Sequence, residues 1–172
     1  MPQMGIDSLK TNLTNPARPF LWEVIVPVPI GNGDSQTYTV RAQSTEIPGR
    51  SNPQIKIPYK QTAGIVVAGK LTYDQTWTVT FIEGEDKKVF DAIESWQQII
   101  VNNLTGIGVG DPFYKTDVYL TTITVGGEVY MKIKLKGAWV QNLGKVAVDY
   151  AGGDGTIKYP ITFSFDTWEQ VS

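Results

Sequence analysis

Hydrophobic and polar residues alternate without interruption from residue 76 to residue 81. The polar positions are Thr76, Thr78 and Thr80, and the apolar positions are Trp77, Val79 and Phe81. A period of two residues is that of a β-strand with one face buried and the other in contact with water. Threonine is a strong strand former with an uncharged hydroxyl. The wet face therefore suits a water-filled passage that does not fix ions or polyanions.

The same two-faced pattern recurs along the chain and predicts further strands. These strands are expected at residues 20–26, 37–43, 54–59, 75–82, 117–125, 128–136, 145–150 and 156–165. The Gly-Gly pair at 126–127 is a strong signal for a tight hairpin. The turn residues at 31–34 predict that the first two strands pair as another hairpin. The Gly-Ala-Trp sequence at 137–139 is expected to end the strand before it.

A change of period follows the central strand. Val89, Ile93, Trp96 and Ile100 are spaced four, three and four residues apart, which is the stripe of an amphipathic α-helix. Two acidic residues precede the stripe, where negative charge favours a helix N-terminus. The pattern predicts a helix over about 86–102 that packs against one face of the sheet.

A short apolar segment has no partner that the local sequence identifies. Residues 61–70 are small, apolar and bounded by glycine, and their centre is Gly64, Ile65, Val66, Val67 and Ala68. We expect an exposed, adhesive loop.

These patterns together predict the fold class. Every predicted strand has one apolar and one polar face, so the economical architecture is mainly β, an antiparallel β-sandwich or barrel flanked by one α-helix. The expected core residues are Trp22, Trp77, Val79, Phe81, Val89, Ile93, Trp96, Phe163 and Phe165.

Composition agrees with a folded globular protein. The 172 residues are 41% hydrophobic and 19% charged, and the mean hydropathy of -0.14 argues against a membrane span. We expect a polar N-terminal arm at 1–17, without the apolar run of a secretory signal, and a single domain at 18–172. A net charge of -2 gives no electrostatic basis for tight binding to nucleic acid.

The absence of cysteine and histidine from the sequence narrows the chemistry. It excludes disulfides, thiolate metal sites, and the Ser-His-Asp and Cys-His catalytic arrangements. A carboxylate pair drawn from Asp149, Asp166 and Glu169 is the remaining route to acid/base catalysis. These acids lie at strand ends or outward positions, so an enzyme is the third-ranked hypothesis, and no catalytic residue, metal or cofactor is expected.

Aromatic and basic residues leave two further possibilities open. Trp139 and Trp168 are not assigned to the core, and an exposed tryptophan is a platform for sugar stacking. The alternating lysines at 132, 134 and 136 form a basic stripe that suits phosphate or an acidic protein surface, or is simply a solvated strand face.

Several segments, in this order and spacing, resemble the major tail tube protein of contractile-tailed bacteriophages, a family related to pyocin-like and type VI secretion tubes. They are Arg-Pro-Phe at 18–20, Ser-Thr-Glu-Ile-Pro at 44–48, residues 72–80, residues 90–97, residues 133–139 and residues 163–169. The resemblance covers nearly the whole chain from Arg18 onward.

The resemblance implies hexameric rings that stack into a hollow tube. The polar strand faces would then line the lumen, with the candidates Thr37, Thr39, Arg41, Gln54, Lys56, Thr76, Thr78, Thr80, Lys158, Thr162 and Ser164. The apolar segment from Gly64 to Ala68 would make the contact between rings, because it needs a partner surface. DNA must pass such a wall without binding to it. The cationic candidates are therefore a poor fit for this role; they are Arg41, Lys56 and Lys158.

The resemblance also implies partners and a location. The chain would associate with itself, with tail sheath, tape-measure and baseplate or initiator proteins, and with DNA that passes through the lumen without tight binding. It would belong to the virion after assembly in the host cytoplasm. Two alternatives stay open: a tube subunit of a phage-tail-like contractile injection particle that delivers protein, and a monomeric β-sandwich module that binds carbohydrate.

Overall fold

The computed structural model describes residues 17–29, 35–60, 62–149 and 155–171, and it is mainly β. Its strands are β1 (Trp22–Ile25), β2 (Ala42–Thr45), β3 (Arg50–Ser51), β4 (Gln54–Tyr59), β5 (Thr62–Ala68), β6 (Thr72–Tyr73), β7 (Thr76–Ile82), β8 (Thr116–Ile123), β9 (Val129–Leu143), β10 (Lys158–Ser164) and β11 (Thr167–Val171). Its helices are α1 (Ser35–Arg41), α2 (Lys88–Ile100) and α3 (Asp111–Tyr114). The predicted mainly β class with one flanking helix, α2, is confirmed. Among the residues described, no helix is long and apolar enough to cross a membrane.

The main sheet has seven antiparallel strands built around the long strand β9. The order is β1-β8-β9-β10-β7-β2, with β11 also paired to β9. The predicted hairpin at 126–127 joins β8 to β9, and Gly127 takes a φ of 85° there. The predicted strand end at 137–139 is wrong, because β9 continues to Leu143 and changes partner from β8 and β11 to β10.

Gly137 explains why β9 continues through the expected break. Its φ is 63°, and a Cβ at this position would lie 2.3 Å from a carboxylate oxygen of Asp166. A left-handed glycine re-aims a strand without ending it. The strand predicted at 145–150 is also wrong for its described part, residues 145–149, which carry no strand.

The segment predicted as a strand at 37–43 is mostly helix α1. The hydroxyl of Tyr38, which is buried, donates to the Lys88 carbonyl at 3.0 Å. Arg41, at the end of the helix, forms an ion pair with Asp86 at 2.7 Å. These distant contacts override the strand preference of the local sequence. The expected pairing of the first two strands is also wrong, since β1 pairs with β8 and β2 with β7; the turn predicted at 31–34 lies outside the described residues.

Helix α2 lies within the predicted range, and its start is held by two acidic side chains. Glu83 accepts hydrogen bonds from the backbone N–H of Phe90 at 2.7 Å and of Gly84 at 3.0 Å. The Asp86 carboxylate accepts two hydrogen bonds from the Arg41 guanidinium, and this pairing lowers the pKa of the Asp86 carboxyl to about 2. The carboxylates satisfy the free N–H groups of the first turn and favour its dipole.

The core lies between the sheet and α2. The buried face of the helix consists of Val89, Ala92, Ile93 and Trp96. The structure buries eight of the nine residues expected in the core, while Trp22 is half-buried at its edge. Trp96 packs on Phe163 with ring centroids 6.0 Å apart. This packing commits the apolar side of β7 and β10 to the core and leaves their other side free.

Candidate assembly surfaces

The free side of β7 and β10 is a surface of hydroxyl groups, here called the hydroxyl face. Its members are Ser44, Thr76, Thr78, Thr80, Thr162 and Ser164. Thr78 lies directly opposite Thr162, with their Oγ1 atoms 3.1 Å apart, and Thr76 lies opposite Ser164. Opposed residues of antiparallel strands point to the same side of a sheet. The alternation at 76–81 therefore becomes a continuous uncharged surface across neighbouring strands.

Acidic groups lie beside one end of the hydroxyl face. A groove of about 440 Å³ runs along it and is lined by Glu46 and Asp74 as well as by threonines. Asp74 accepts a hydrogen bond from the Thr76 hydroxyl at 3.0 Å. Fixed carboxylates at this position repel polyanions and do not hold them.

The cationic candidates for the same surface lie elsewhere or at its margin. Three of the lumen candidates belong to helix α1 and not to a strand, so they do not share a strand face as predicted; they are Thr37, Thr39 and Arg41. Arg41 is neutralised by Asp86. Lys158 is exposed at the first position of β10, opposite Ile82. The centre of the hydroxyl face carries no cation among the residues described.

Gln54 and Lys56 lie on a different element, the apolar hairpin, which comprises β3 to β6 between Arg50 and Tyr73. The expected loop at 61–70 is wrong, because most of it is strand β5, paired with β4. The expected exposure of apolar side chains is present: Ile65 is 65% exposed, and Val66 is 53% exposed. Gly64 passes so close to β4 that a Cβ there would lie 2.1 Å from the Ile57 carbonyl oxygen.

The apolar hairpin has exposed side chains on both faces. All six residues of β4 are exposed, among them Ile55 and Ile57. From residue 50 to residue 71 its charged residues are Arg50, Lys56, Lys60 and Lys70, with no acid. The ion pairs within the described part of the chain include none of these four cations. A two-stranded hairpin with uncovered apolar faces is marginal in water and is the mark of an interface.

The two unassigned tryptophans are both covered by neighbouring side chains. Tyr114 meets Trp139 edge-on with ring centroids 6.1 Å apart. The Arg50 guanidinium lies 5.3 Å from the Trp168 ring centroid. A sugar-binding platform presents an open aromatic face, so this geometry does not favour the carbohydrate-binding hypothesis.

The acids and lysines singled out in the sequence largely neutralise each other. Asp166 is paired with Lys115 at 3.1 Å, and Glu169 with Lys136 at 2.7 Å. Lys134 is paired with Asp117 at 2.8 Å, and this hydrogen bond raises the pKa of the lysine. The candidate basic stripe is thus part of a surface ion-pair network. In the ranges that the structure describes, no group of three or more acidic residues is placed to hold a metal ion.

Comparisons with solved structures define the class to which this fold belongs. A chain from the sheath-tube complex of PVC, an extracellular contractile injection system, aligns with a TM-score of 0.66 and 17% identity, covering 95% of this chain and 97% of that one. A type six secretion system protein aligns with a TM-score of 0.54 and 12% identity, covering 88% of this chain and 82% of that one. The fold is therefore shared with a chain of a contractile injection system and with a type six secretion system protein.

Sequence comparison finds two similar proteins in bacteriophages. The chain is 26% identical over 155 residues to the tail tube protein gp19 of Enterobacteria phage T4, covering 89% of this chain and 91% of the relative. The same protein of phage T6 matches with equal identity and coverage. No protein-family model matches the chain. The chain is homologous to gp19, and the resemblance to phage tail tube proteins predicted from its sequence is confirmed.

Proposed function

We propose that this tail tube subunit closes into hexameric rings that stack into a hollow tube, and that the lumen conducts DNA into the host during infection. The observation that carries the proposal is the homology to gp19 over nearly the whole chain. The subunit acts structurally and not as an enzyme, in keeping with relatives that are tail tube proteins.

The hydroxyl face is proposed to line the lumen. DNA that moves through a tube must not be held by its wall, and clustered lysines or arginines would hold it by releasing counterions. Threonine and serine hydroxyls stay hydrated and carry no positive charge, so they do not hold DNA by counterion release. Glu46 and Asp74, beside one end of the face, add weak repulsion.

The apolar hairpin is proposed to make the contact between stacked rings. Its exposed isoleucines and valines lose contact with water only against another surface, and burial of apolar area is the main favourable term in association. Gly64, Ile65, Val66, Val67 and Ala68 are the proposed contact residues, together with the facing positions of β4.

The proposed partners follow from this role. They are further copies of the chain, the tail sheath, the tape-measure protein and the baseplate or initiator, with assembly in the host cytoplasm. A second candidate function is the tube of a contractile injection particle that delivers protein. It is favoured by the structural likeness to a chain of the PVC sheath-tube complex.

Electron microscopy of the purified protein tests the proposed assembly. At high concentration we expect rings or hollow tubes with sixfold symmetry, and light scattering should give a mass far above the 19.0 kDa of one chain. A protein that stays monomeric alone and also when mixed with a tail initiator complex would contradict the proposal.

A single cysteine at Thr78 tests the lumen assignment, and the natural absence of cysteine makes the labelling specific. We expect Thr78→Cys to react with a bulky gold-maleimide as a free subunit but to be protected in assembled tubes. A small maleimide should react in both states. Glu94→Cys, on the exposed side of α2, is the matched control and should react with the bulky reagent in tubes. Equal labelling of both variants in tubes would refute the assignment.

A further inference from the structure

The apolar hairpin is joined to the rest of the subunit by a short stem. In that stem β3 pairs with β6, Arg50 opposite Tyr73 and Ser51 opposite Thr72. Beyond it, β4 and β5 pair with each other and with no other strand of the described residues. Two-stranded ladders have little independent stability, so contacts at the stem decide the direction in which the hairpin points.

Between the stem and the outer strands the ladder is interrupted at a tight crossing. The Gly69 N–H donates to the Pro53 carbonyl at 2.6 Å, and a Cβ on Gly69 would lie 2.6 Å from the same oxygen. Proline cannot donate a ladder bond at this position. The interruption separates the outer strands from the stem, so any fixed orientation has to be imposed from the stem side.

The side chain of Trp168, from another part of the chain, contacts both strands of the stem. Trp168 lies on β11, which pairs with β9 in the main sheet. Its indole N–H donates to the Gly49 carbonyl at 3.3 Å, and its ring meets Tyr73 edge-on at 6.2 Å. The Arg50 guanidinium lies over the same ring at 5.3 Å. Trp168 thus contacts Gly49, the residue just before the hairpin, as well as β3 and β6, the two strands of its stem.

We infer that Trp168 is a positioning residue that latches the apolar hairpin at a fixed angle to the main sheet and so makes the subunit competent to stack. The inference rests on the proposed stacking role of the hairpin. An orientation set before assembly lowers the entropy that stacking must overcome, since preorganised elements lose less freedom on binding. The residues involved are aromatic and cationic, so the latch does not depend on apolar burial alone.

Hydrogen exchange of the unassembled subunit and tube formation, measured together, test the latch. For Trp168→Ala we expect the hydrogen-bonded amides of the β3–β6 ladder to exchange about tenfold faster, the size expected from losing one ring pair and one cation–π contact. Amides of β10 should keep their wild-type rates, because β10 pairs with β7 and β9 and not with β11. The subunit concentration needed for tubes should rise about tenfold.

Matched variants separate the latch from general damage. Gln170→Ala changes an exposed neighbour on β11 and should behave as wild type. Trp168→Phe keeps the ring but loses the bond to Gly49, and it should fall between wild type and Trp168→Ala. The inference is overturned if the alanine variant loosens the stem yet forms tubes normally, or if it loses tubes with unchanged stem exchange. A wild-type protein that forms no tubes would instead count against the proposed function itself.

Discussion

Replacing Val66 with aspartate is expected to abolish tube formation while leaving the subunit folded. Val66 is 53% exposed in the free subunit, so the change removes little from the core. It lies opposite Lys56 across the hairpin, where a carboxylate would face an ammonium group, and opposite charges in a cross-strand pair support a ladder. The hairpin should therefore survive the substitution.

The same carboxylate would be strongly unfavourable in a stacked ring. Enclosing this carboxylate together with the Lys56 ammonium in an apolar interface would cost several kcal/mol, because the loss of hydration by both charges can exceed their mutual attraction, and the cost recurs at every subunit of every ring. Sedimentation and electron microscopy should find no tubes where the wild type assembles fully, while circular dichroism and the urea midpoint stay unchanged. Val66→Ile keeps the apolar surface and should still stack. Tubes of normal length from Val66→Asp would show that the apolar hairpin does not form the contact between rings.

The elements that sequence patterns located well are those whose burial is one-sided. Along 76–81 one face is buried and the other is largely in contact with water, so period 2 is visible in the residue types themselves. The stripe that begins at Val89 is visible for the same reason, because α2 buries only one side. Because the predicted register of 76–81 was correct, the threonines of the hydroxyl face could be identified from the sequence.

The elements that sequence patterns missed depend on distant partners or on exposure of both faces. Helix α1 is held by Tyr38 and Arg41 reaching residues that lie more than 40 positions later, and no local pattern carries that information. Strand β5 has exposed residues on both faces, so nothing in its residue types distinguishes the two sides. The sequence does carry one indication of β5. The segment just before it, β4, alternates apolar and polar residues and had no predicted partner strand.

The largest loss of stability is expected from Trp96→Ala, because this residue joins the helix to the sheet. Its side chain is fully buried, its indole N–H donates to the Tyr114 carbonyl at 2.7 Å, and its ring packs on Phe163. Removing a buried tryptophan leaves a cavity and costs about 3–5 kcal/mol in the free energy of unfolding. Domains of this size are stable by only about 5–15 kcal/mol, so a large share of the total would be lost.

Urea unfolding followed by circular dichroism measures this loss. Trp96→Phe keeps an aromatic ring against Phe163 but gives up the bond to Tyr114, so its unfolding free energy should lie between those of the wild type and the alanine variant. Glu94→Ala, on the exposed side of α2, should stay within about 0.5 kcal/mol of wild type. An alanine variant at position 96 as stable as Glu94→Ala would mean that α2 does not hold the sheet. The hydroxyl face would then lack the rigid backing that a lumen wall requires.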